Sequence, residues 1–270
     1  MTDARPPAPG GVSLIDAHCH LQDEAFAPDR DAVLARARGA DVDAFFCCST
    51  SPDDWEQVRE LAESDPSVIP FYGLHPWFLD RAGEGWKERL DEYLSDPRAG
   101  AGEAGLDRRR NGRGDERERA VFRFQLERSI DGKKPLAVHC VGAWGEMQEL
   151  LRYAGLHPAG VLFHAYSGSA EMVDPLAALG GMFSFGGSLL QASHRRVREA
   201  LRAVPPDRWM VETDSPDMAP ERVHTAVPGR NEPAVLQLIL REAAHLRGID
   251  EERAAEESSR NARSLFEISK

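Results

Sequence analysis

The sequence predicts an α/β fold of the (β/α)8 TIM barrel type in a single domain, and three observations carry that expectation. Short β-type runs recur at intervals of roughly 20 to 35 residues, charged stretches with helical periodicity separate them, and eight such runs can be counted. The length of 270 residues suits one such barrel, which typically needs about 250. An open doubly wound sheet would share the alternation, but eight strands and the lack of a GxGxxG turn after the first favour the barrel.

In order, the runs are Ser13–His18, Asp43–Ser49, Val68–Gly73, Gly100–Glu103, Leu136–His139, Gly160–His164, Gly181–Phe185 and Trp209–Thr213. Several are continuously apolar, as a strand buried on both faces should be. Between them Arg30–Ala40, Asp54–Ser64, Glu116–Asp131, Trp144–Ala154, Ala170–Gly180 and His194–Val204 read as amphipathic helices, with Asn231–Arg247 the longest. Ser51-Pro52-Asp53-Asp54 and Asp207 read as turn or N-cap chemistry, and Gly155 and Gly180 fall where helices should end. No repeat or linker divides residues 12–270, whereas the polar, Pro-rich residues 1–11 are expected to be disordered.

Composition narrows the classes. No apolar run approaches the ~20 residues of a transmembrane helix, and the start has no signal-peptide stretch, so the expectation is a cytoplasmic protein with no membrane contact. The four cysteines, Cys19, Cys47, Cys48 and Cys140, lie in or beside strand-like runs and read as reduced, buried thiols. A formal charge of −12 argues against coating nucleic acid through a broad basic surface. A metal-dependent nuclease stays open, because ions and a few arginines can hold one or two phosphates. No protein partner is legible.

Five of the nine histidines fall at or just after the ends of predicted strands, where barrels of this type build their sites. In Asp16-Ala17-His18-Cys19-His20, residues two apart on a strand share a face, so His18 and His20 can reach one ion. Glu103 stands among glycines that allow close approach, and its carboxylate can bridge two ions. His139 and His164 close the fifth and sixth runs as lone polar groups, and Asp214 follows the eighth. His139 or His164 alone reads more often as a satisfied core residue, and His18 with His20 as a hydrogen-bonded strand pair; the joint set of His18, His20, Glu103, His139, His164 and Asp214 is a mixed imidazole and carboxylate array sized for two divalent ions. The cofactor expectation is therefore two divalent metal ions, with magnesium, manganese and zinc all open.

These segments resemble the TatD family of metal-dependent hydrolases, within the amidohydrolase-like barrels. IDAHCH, YGLHPW, AGEAGLD, PLAVHC, VLFHAYSGS, VETDSP and GRNEP occur in the family's order across nearly the whole chain. The resemblance implies that His18, His20, Glu103 and Asp214 hold one ion and that Glu103, His139 and His164 hold a second. It also implies a phosphodiesterase or deoxyribonuclease, often of the 3′–5′ exonuclease type, with DNA or an oligonucleotide as substrate. The alternatives are a hydrolase of the same fold acting on an amide, ester or small phosphate compound, and a non-catalytic metal-binding protein. Two positions depart from the nuclease pattern: Val141 stands where an Arg is common, and Arg108-Arg109-Arg110 where aromatics commonly follow Gly-Leu-Asp.

In the mechanism so implied, Glu103 and Asp214 are the catalytic carboxylates, one bridging and one orienting or deprotonating the attacking water. Asp16 is expected to hold a ligand imidazole in orientation. His75, Arg108 and Arg109 are the candidate substrate-binding residues, with Arg110 and Arg113 beside them; His75 reads equally as a turn histidine fixed by Pro76, and the arginines as a solvated loop. Gly186-Gly187-Ser188 offers backbone N–H groups for an anion or a plain turn, Pro228 to Pro233 reads as turn and N-cap, and Trp77 and Trp144 could stack on a base or simply pack. His157, His194 and His245 carry no assigned function.

Overall fold

The computed structural model describes residues 13–111, 115–220 and 225–267, so the expectations for residues 1–11 and for Arg113 fall outside the described residues. Its strands are β1 (Leu14–Cys19), β2 (Val42–Cys48), β3 (Val68–Tyr72), β4 (Gly100–Asp107), β5 (Leu136–Val141), β6 (Val161–Phe163), β7 (Gly181–Phe185) and β8 (Trp209–Val211). They pair in parallel in chain order. The ring is closed at its C-terminal mouth, where the Asp214 N–H donates to the His18 carbonyl at 2.9 Å and the His20 N–H to the Ser215 carbonyl at 2.8 Å. The protein is a (β/α)8 barrel.

Around the strands lie α1 (Arg30–Arg38), α2 (Trp55–Ser64), α3 (Trp86–Tyr93), α4 (Arg108–Asn111), α5 (Glu116–Asp131), α6 (Trp144–Ala154), α7 (Val173–Ala177), α8 (Arg195–Ala203), α9 (Leu236–Arg247) and α10 (Glu251–Glu267). The expected helices over Glu116–Asp131 and Trp144–Ala154 match α5 and α6. Three expectations are corrected. β4 runs past Glu103 to Asp107 because β5 continues beside it as far as Val141. The span from Asn231 begins as loop, since the Asn231 N–H goes to the Pro216 carbonyl and Pro233 opens a 3-10 turn, so α9 starts only at Leu236. Among the described residues the longest helix is α10, with 17 residues.

Two layers of apolar packing hold the barrel. Outward-facing strand residues such as Leu14, Phe45, Val138 and Phe183 pack under the helices. Inside, Ile15, Ala17, Phe46, Phe71, Leu162, Met182 and Met210 fill the lower barrel, and Ala262, Leu265 and Phe266 of α10 close its floor. The Phe266 ring meets Phe46 and Phe71 edge-on, with centroids 5.4 and 5.7 Å apart. The upper barrel is polar, and two register shifts create it. β1 shifts against β2 between Asp16 and Cys19, and β4 shifts against β5 between Ala101 and Ala104. A bulge of this kind re-aims the side chains beyond it. Ile15 and Ala17 face the interior below the first shift while Cys19 above it faces the helices, leaving His18 and His20 to point inward. At the second, Ala101 faces the helices, and Glu103 and Asp107 turn to the centre. Gly102 makes this possible: its φ of 116° suits only glycine, and a Cβ there would sit 2.5 Å from the Ala137 carbonyl oxygen.

At Gly105 a Cβ would stand 1.8 Å from the His139 carbonyl oxygen, so Gly105→Ala must push β4 from β5. Such overpacking costs about 1–3 kcal/mol or more. Thermal unfolding should show Gly105→Ala several degrees below wild type, while Gly145→Ala, which meets nothing within 4 Å near the start of α6, is unchanged or slightly raised. Equal midpoints for the two variants would refute the close approach.

His157 is buried between α5 and the loop after α6, with Nε2 2.9 Å from Ser129 Oγ and Nδ1 accepting from the Ala159 N–H. Burial lowers its pKa to about 4. An unfolded chain binds that proton near pH 6.5, so this site's contribution is full above pH 6.5 and declines as pH falls toward 4, by about 1.4 kcal/mol per unit at most. In denaturant titrations His157→Gln should therefore lose less stability than wild type between pH 6.5 and 4.

Candidate metal and catalytic site

Glu103 is the centre of the upper barrel, 2% exposed, and its two oxygens face different groups. Oε2 lies 3.1 Å from His18 Nε2 and 3.7 Å from His20 Nε2, and Asp214 Oδ1 completes this side at 3.7 and 3.3 Å from the same two nitrogens. Oε1 lies 2.8 Å from His164 Nε2, 3.2 Å from His139 Nδ1 and 3.2 Å from His75 Nε2. All six residues expected to hold metal are thus brought together, and His75 joins them. His18 stacks on His164 at 3.9 Å between ring centroids, packing the two sides against each other.

Local structure explains the convergence. Asp214 and Ala165 follow β8 and β6 with φ of 57° and 42°, left-handed turns that swing the chain at the strand ends. The β2–β3 ladder continues past its strands through the His75 N–H to the Thr50 carbonyl, and the Glu103 N–H reaches the Ser49 carbonyl at the end of β2. Asp16 does not orient an imidazole as expected. Its buried carboxyl, pushed up to about 8 by burial, takes the Thr213 N–H at 2.8 Å and the Thr213 hydroxyl, and so sews β1 to the end of β8.

The outer ring nitrogens decide which atoms can coordinate. His139 Nε2 donates to Asp107 Oδ2 at 3.1 Å, and His20 Nδ1 donates to the Cys48 carbonyl at 2.7 Å. When neutral, each ring therefore presents a lone pair to the centre, the arrangement by which a backing acceptor orients a metal-ligating histidine. His75 is reversed. Its Nδ1 accepts from the Trp77 N–H at 3.1 Å, so Nε2 carries the proton and donates to Glu103; burial keeps the ring neutral, with a pKa lowered to about 4. At His18 and His164 the outer Nδ1 atoms make no hydrogen bond, so the inward nitrogens carry these rings' closest polar contacts.

Burial alone would raise Glu103, but the imidazoles of His164, His75 and His18 outweigh it and hold the carboxyl well below its ordinary range. Burial lowers His20, yet its bond to Asp214 and the charge of Glu103 bring it up to about 9. His164 is likewise carried well above its ordinary value by Glu103 against the effect of burial. The centre thus favours positive charge beside two carboxylates, a demand that protons or a divalent cation can meet. Three sets have donor atoms near enough to share an ion: His18, His20 and Glu103; His18, His164 and Asp214; and His75, Glu103 and His139. The reversed tautomer leaves His75 the poorest ligand of these.

Two carboxylates behind the centre escaped the sequence reading. Asp107 holds His139, and Glu212 accepts the Ala165 N–H at 2.6 Å and the Ser184 hydroxyl, lying 3.7 Å from His164 Nδ1. Both were findable: Asp107 is four residues after Glu103 and Glu212 two before Asp214, on shared faces by the alternation of strands. The expected substrate residues separate. Arg108 pairs with Glu146, which also holds Arg119. Arg109 and Arg110 are exposed, with backbone N–H groups capped by Asp107 Oδ1 at 2.9 and 3.2 Å. Trp77 is exposed at the mouth and Trp144 is buried. Gly186-Gly187-Ser188 packs against Glu212 and Pro220, while Arg230 pairs with Asp29 and Glu232, and Asn231 Nδ2 holds the Thr213 carbonyl. No cysteine joins the cluster; all four are free and buried.

A barrel with a buried histidine and carboxylate cluster at the C-terminal mouth defines a metal-dependent hydrolase of the amidohydrolase-like fold. The chain belongs to the TatD-related DNase family, whose model matches residues 15–267. It is 31% identical over 261 residues to the 3′-5′ ssDNA/RNA exonuclease TatD of Escherichia coli, covering 94% of this chain and 99% of that one. Over 258 residues it is 26% identical to YabD of Bacillus subtilis, an uncharacterized metal-dependent hydrolase, with 94% and 99% covered. The crystal structure of YJJV, a TatD homologue from Escherichia coli, superposes with a TM-score of 0.85 at 25% identity, over 94% of this chain and 98% of that one.

Removing the charge and one of the two acceptor oxygens behind His139 should loosen that ring. Asp107→Asn is expected to weaken metal binding about 10- to 100-fold, the usual penalty for removing such a backing group. Metal titration of the stripped protein checks this, and an unchanged affinity would remove Asp107 from any part in holding the site.

Proposed function

We propose that this chain is a divalent-metal-dependent phosphodiesterase that shortens single-stranded DNA or RNA from an end, of the 3′–5′ exonuclease type. The observation that carries the reading is the shared Glu103 carboxylate, whose Oε2 faces His18 and His20, with Asp214 beside them, and whose Oε1 faces His139 and His164. The name of the Escherichia coli relative supports the substrate class. His18, His20, Glu103 and Asp214 would hold one ion, and Glu103, His139 and His164 a second; magnesium, manganese and zinc all suit this mixture of nitrogen and oxygen donors. Bound there, two such ions would supply an acidified water and electrostatic polarisation of a phosphoryl oxygen.

The remaining steps fall to side chains. Asp214 stands at the open edge of its group, where its carboxylate can take the proton of the attacking water. Its carboxyl is raised by burial but brought below its ordinary value by His20, His164 and His18, so it is ionised and able to accept at neutral pH. His75 steadies Glu103 by its Nε2–H instead of reaching the substrate. Arg109, exposed at the rim, meets the phosphates of the strand, a task Arg108 cannot share while Glu146 holds it. Free, buried cysteines accord with a cytoplasmic setting. Among the described residues no helix is long and apolar enough to cross a membrane.

End-labelled single-stranded DNA incubated with magnesium, manganese or zinc tests the reading. Stepwise shortening is expected, abolished by EDTA; Asp214→Asn should lower kcat about 10²- to 10⁴-fold. Glu103→Ala should lose both activity and bound metal while retaining the circular dichroism of the barrel. Full metal content with unchanged turnover in Glu103→Ala would overturn the assignment, and bound metal with no cleavage of any strand would move the substrate to small esters, amides or phosphates.

A further inference from the structure

The mouth of the barrel carries one aromatic side chain that packing does not explain. Trp55, Trp144 and Trp209 are buried and Trp86 is half-buried, whereas Trp77 is 42% exposed. Its ring is nonetheless fixed. The indole Nε1–H donates to Asp107 Oδ2 at 2.7 Å, the same oxygen that receives His139 Nε2. Its centroid stands 5.1 Å from the His75 ring and 5.8 Å from the His139 ring, so the indole borders the histidine centre itself. Over it lies the Arg110 guanidinium, 5.0 Å from the ring centroid, which has no carboxylate partner among the described residues. Asp107 Oδ1 fixes the backbone at Arg109 and Arg110, so one carboxylate sets both halves of the pair and the adjacent imidazole.

We propose that Trp77 and Arg110 form a stacking site for the base of an unpaired nucleotide whose phosphate lies at the histidine and carboxylate centre. This deepens the phosphodiesterase reading and rests on it. A rigid indole face and a delocalised cation both suit any base, since every base has a π-face, and stacking of this kind carries no sequence preference. A paired terminal base is less available to such a shelf, because its partner holds it in the plane of the pair and the neighbouring step covers its inner face. The selectivity it confers is for an unpaired end over a paired one, and for a nucleotide with a base over one without.

The test compares two 5′-labelled single-stranded oligonucleotides, one ending in an ordinary 3′ nucleotide and one in an abasic residue, with wild type, Trp77→Leu, Trp77→Phe and Arg110→Ala, each checked for metal content. Wild type should cleave the ordinary end with about tenfold higher kcat/KM than the abasic end, the difference lying in KM. Trp77→Leu should bring that ratio close to one at full metal content. Trp77→Phe keeps a π-face without the indole N–H and should retain most of the preference, which separates stacking from the anchoring of Asp107; Arg110→Ala should reduce it in part. Cleavage with a wild-type ratio near one, or a ratio that Trp77→Leu leaves unchanged, overturns the shelf and leaves the nuclease reading intact. Failure to cleave either oligonucleotide with any of the three metals removes the nuclease reading and the shelf with it.

Discussion

Burying a carboxylate beneath five imidazoles is the constraint that organises the upper half of this barrel. An ionised acid withdrawn from water is costly unless it is paired on every side, and Glu103 is met on one oxygen by His18 and His20 and on the other by His75, His139 and His164. The imidazoles in turn need their outer nitrogens turned the right way. The Cys48 carbonyl does this for His20, Asp107 for His139, and the Trp77 N–H, with opposite polarity, for His75. Position and protonation are therefore set together.

Asp107 carries that organisation outward. The Glu118 side chain of α5 accepts its backbone N–H at 2.6 Å, which ties the end of β4 to the neighbouring helix. From there its carboxylate reaches His139, the indole of Trp77 and the first turn of the arginine run. Centre and rim thus share one anchor. On the opposite side, Asp16 and Thr213 join β1 to β8, so the two ends of the ring meet beside His18 and Asp214.

Much of this was legible in the sequence. Continuous apolar runs at barrel spacing gave eight strands, and lone histidines and acids at their ends gave the donor set, because a polar residue closing an apolar strand has few other places to go. The substrate side was less legible. Arg108, Arg109 and Arg110 are identical in type, yet only the fold brings Glu146 to the first of them. His75 gave no sign of the tautomer that turns its proton toward Glu103, since that depends on a turn formed with Trp77.

The sequence by itself determined which residues are available to the centre and roughly where along each strand they fall. Tertiary structure decided which way they point. Under unbroken alternation, Ile15 and Ala17 facing inward would put Cys19 inward and His18 and His20 out under the helices; the register shift in β1 reverses that, and the one at Gly102 does the same for Glu103. A strand's own residues can permit a bulge, as Gly102 does, but where it falls depends on how two strands pair across the sheet, which is why the composition of the site could be read from the chain and its geometry could not.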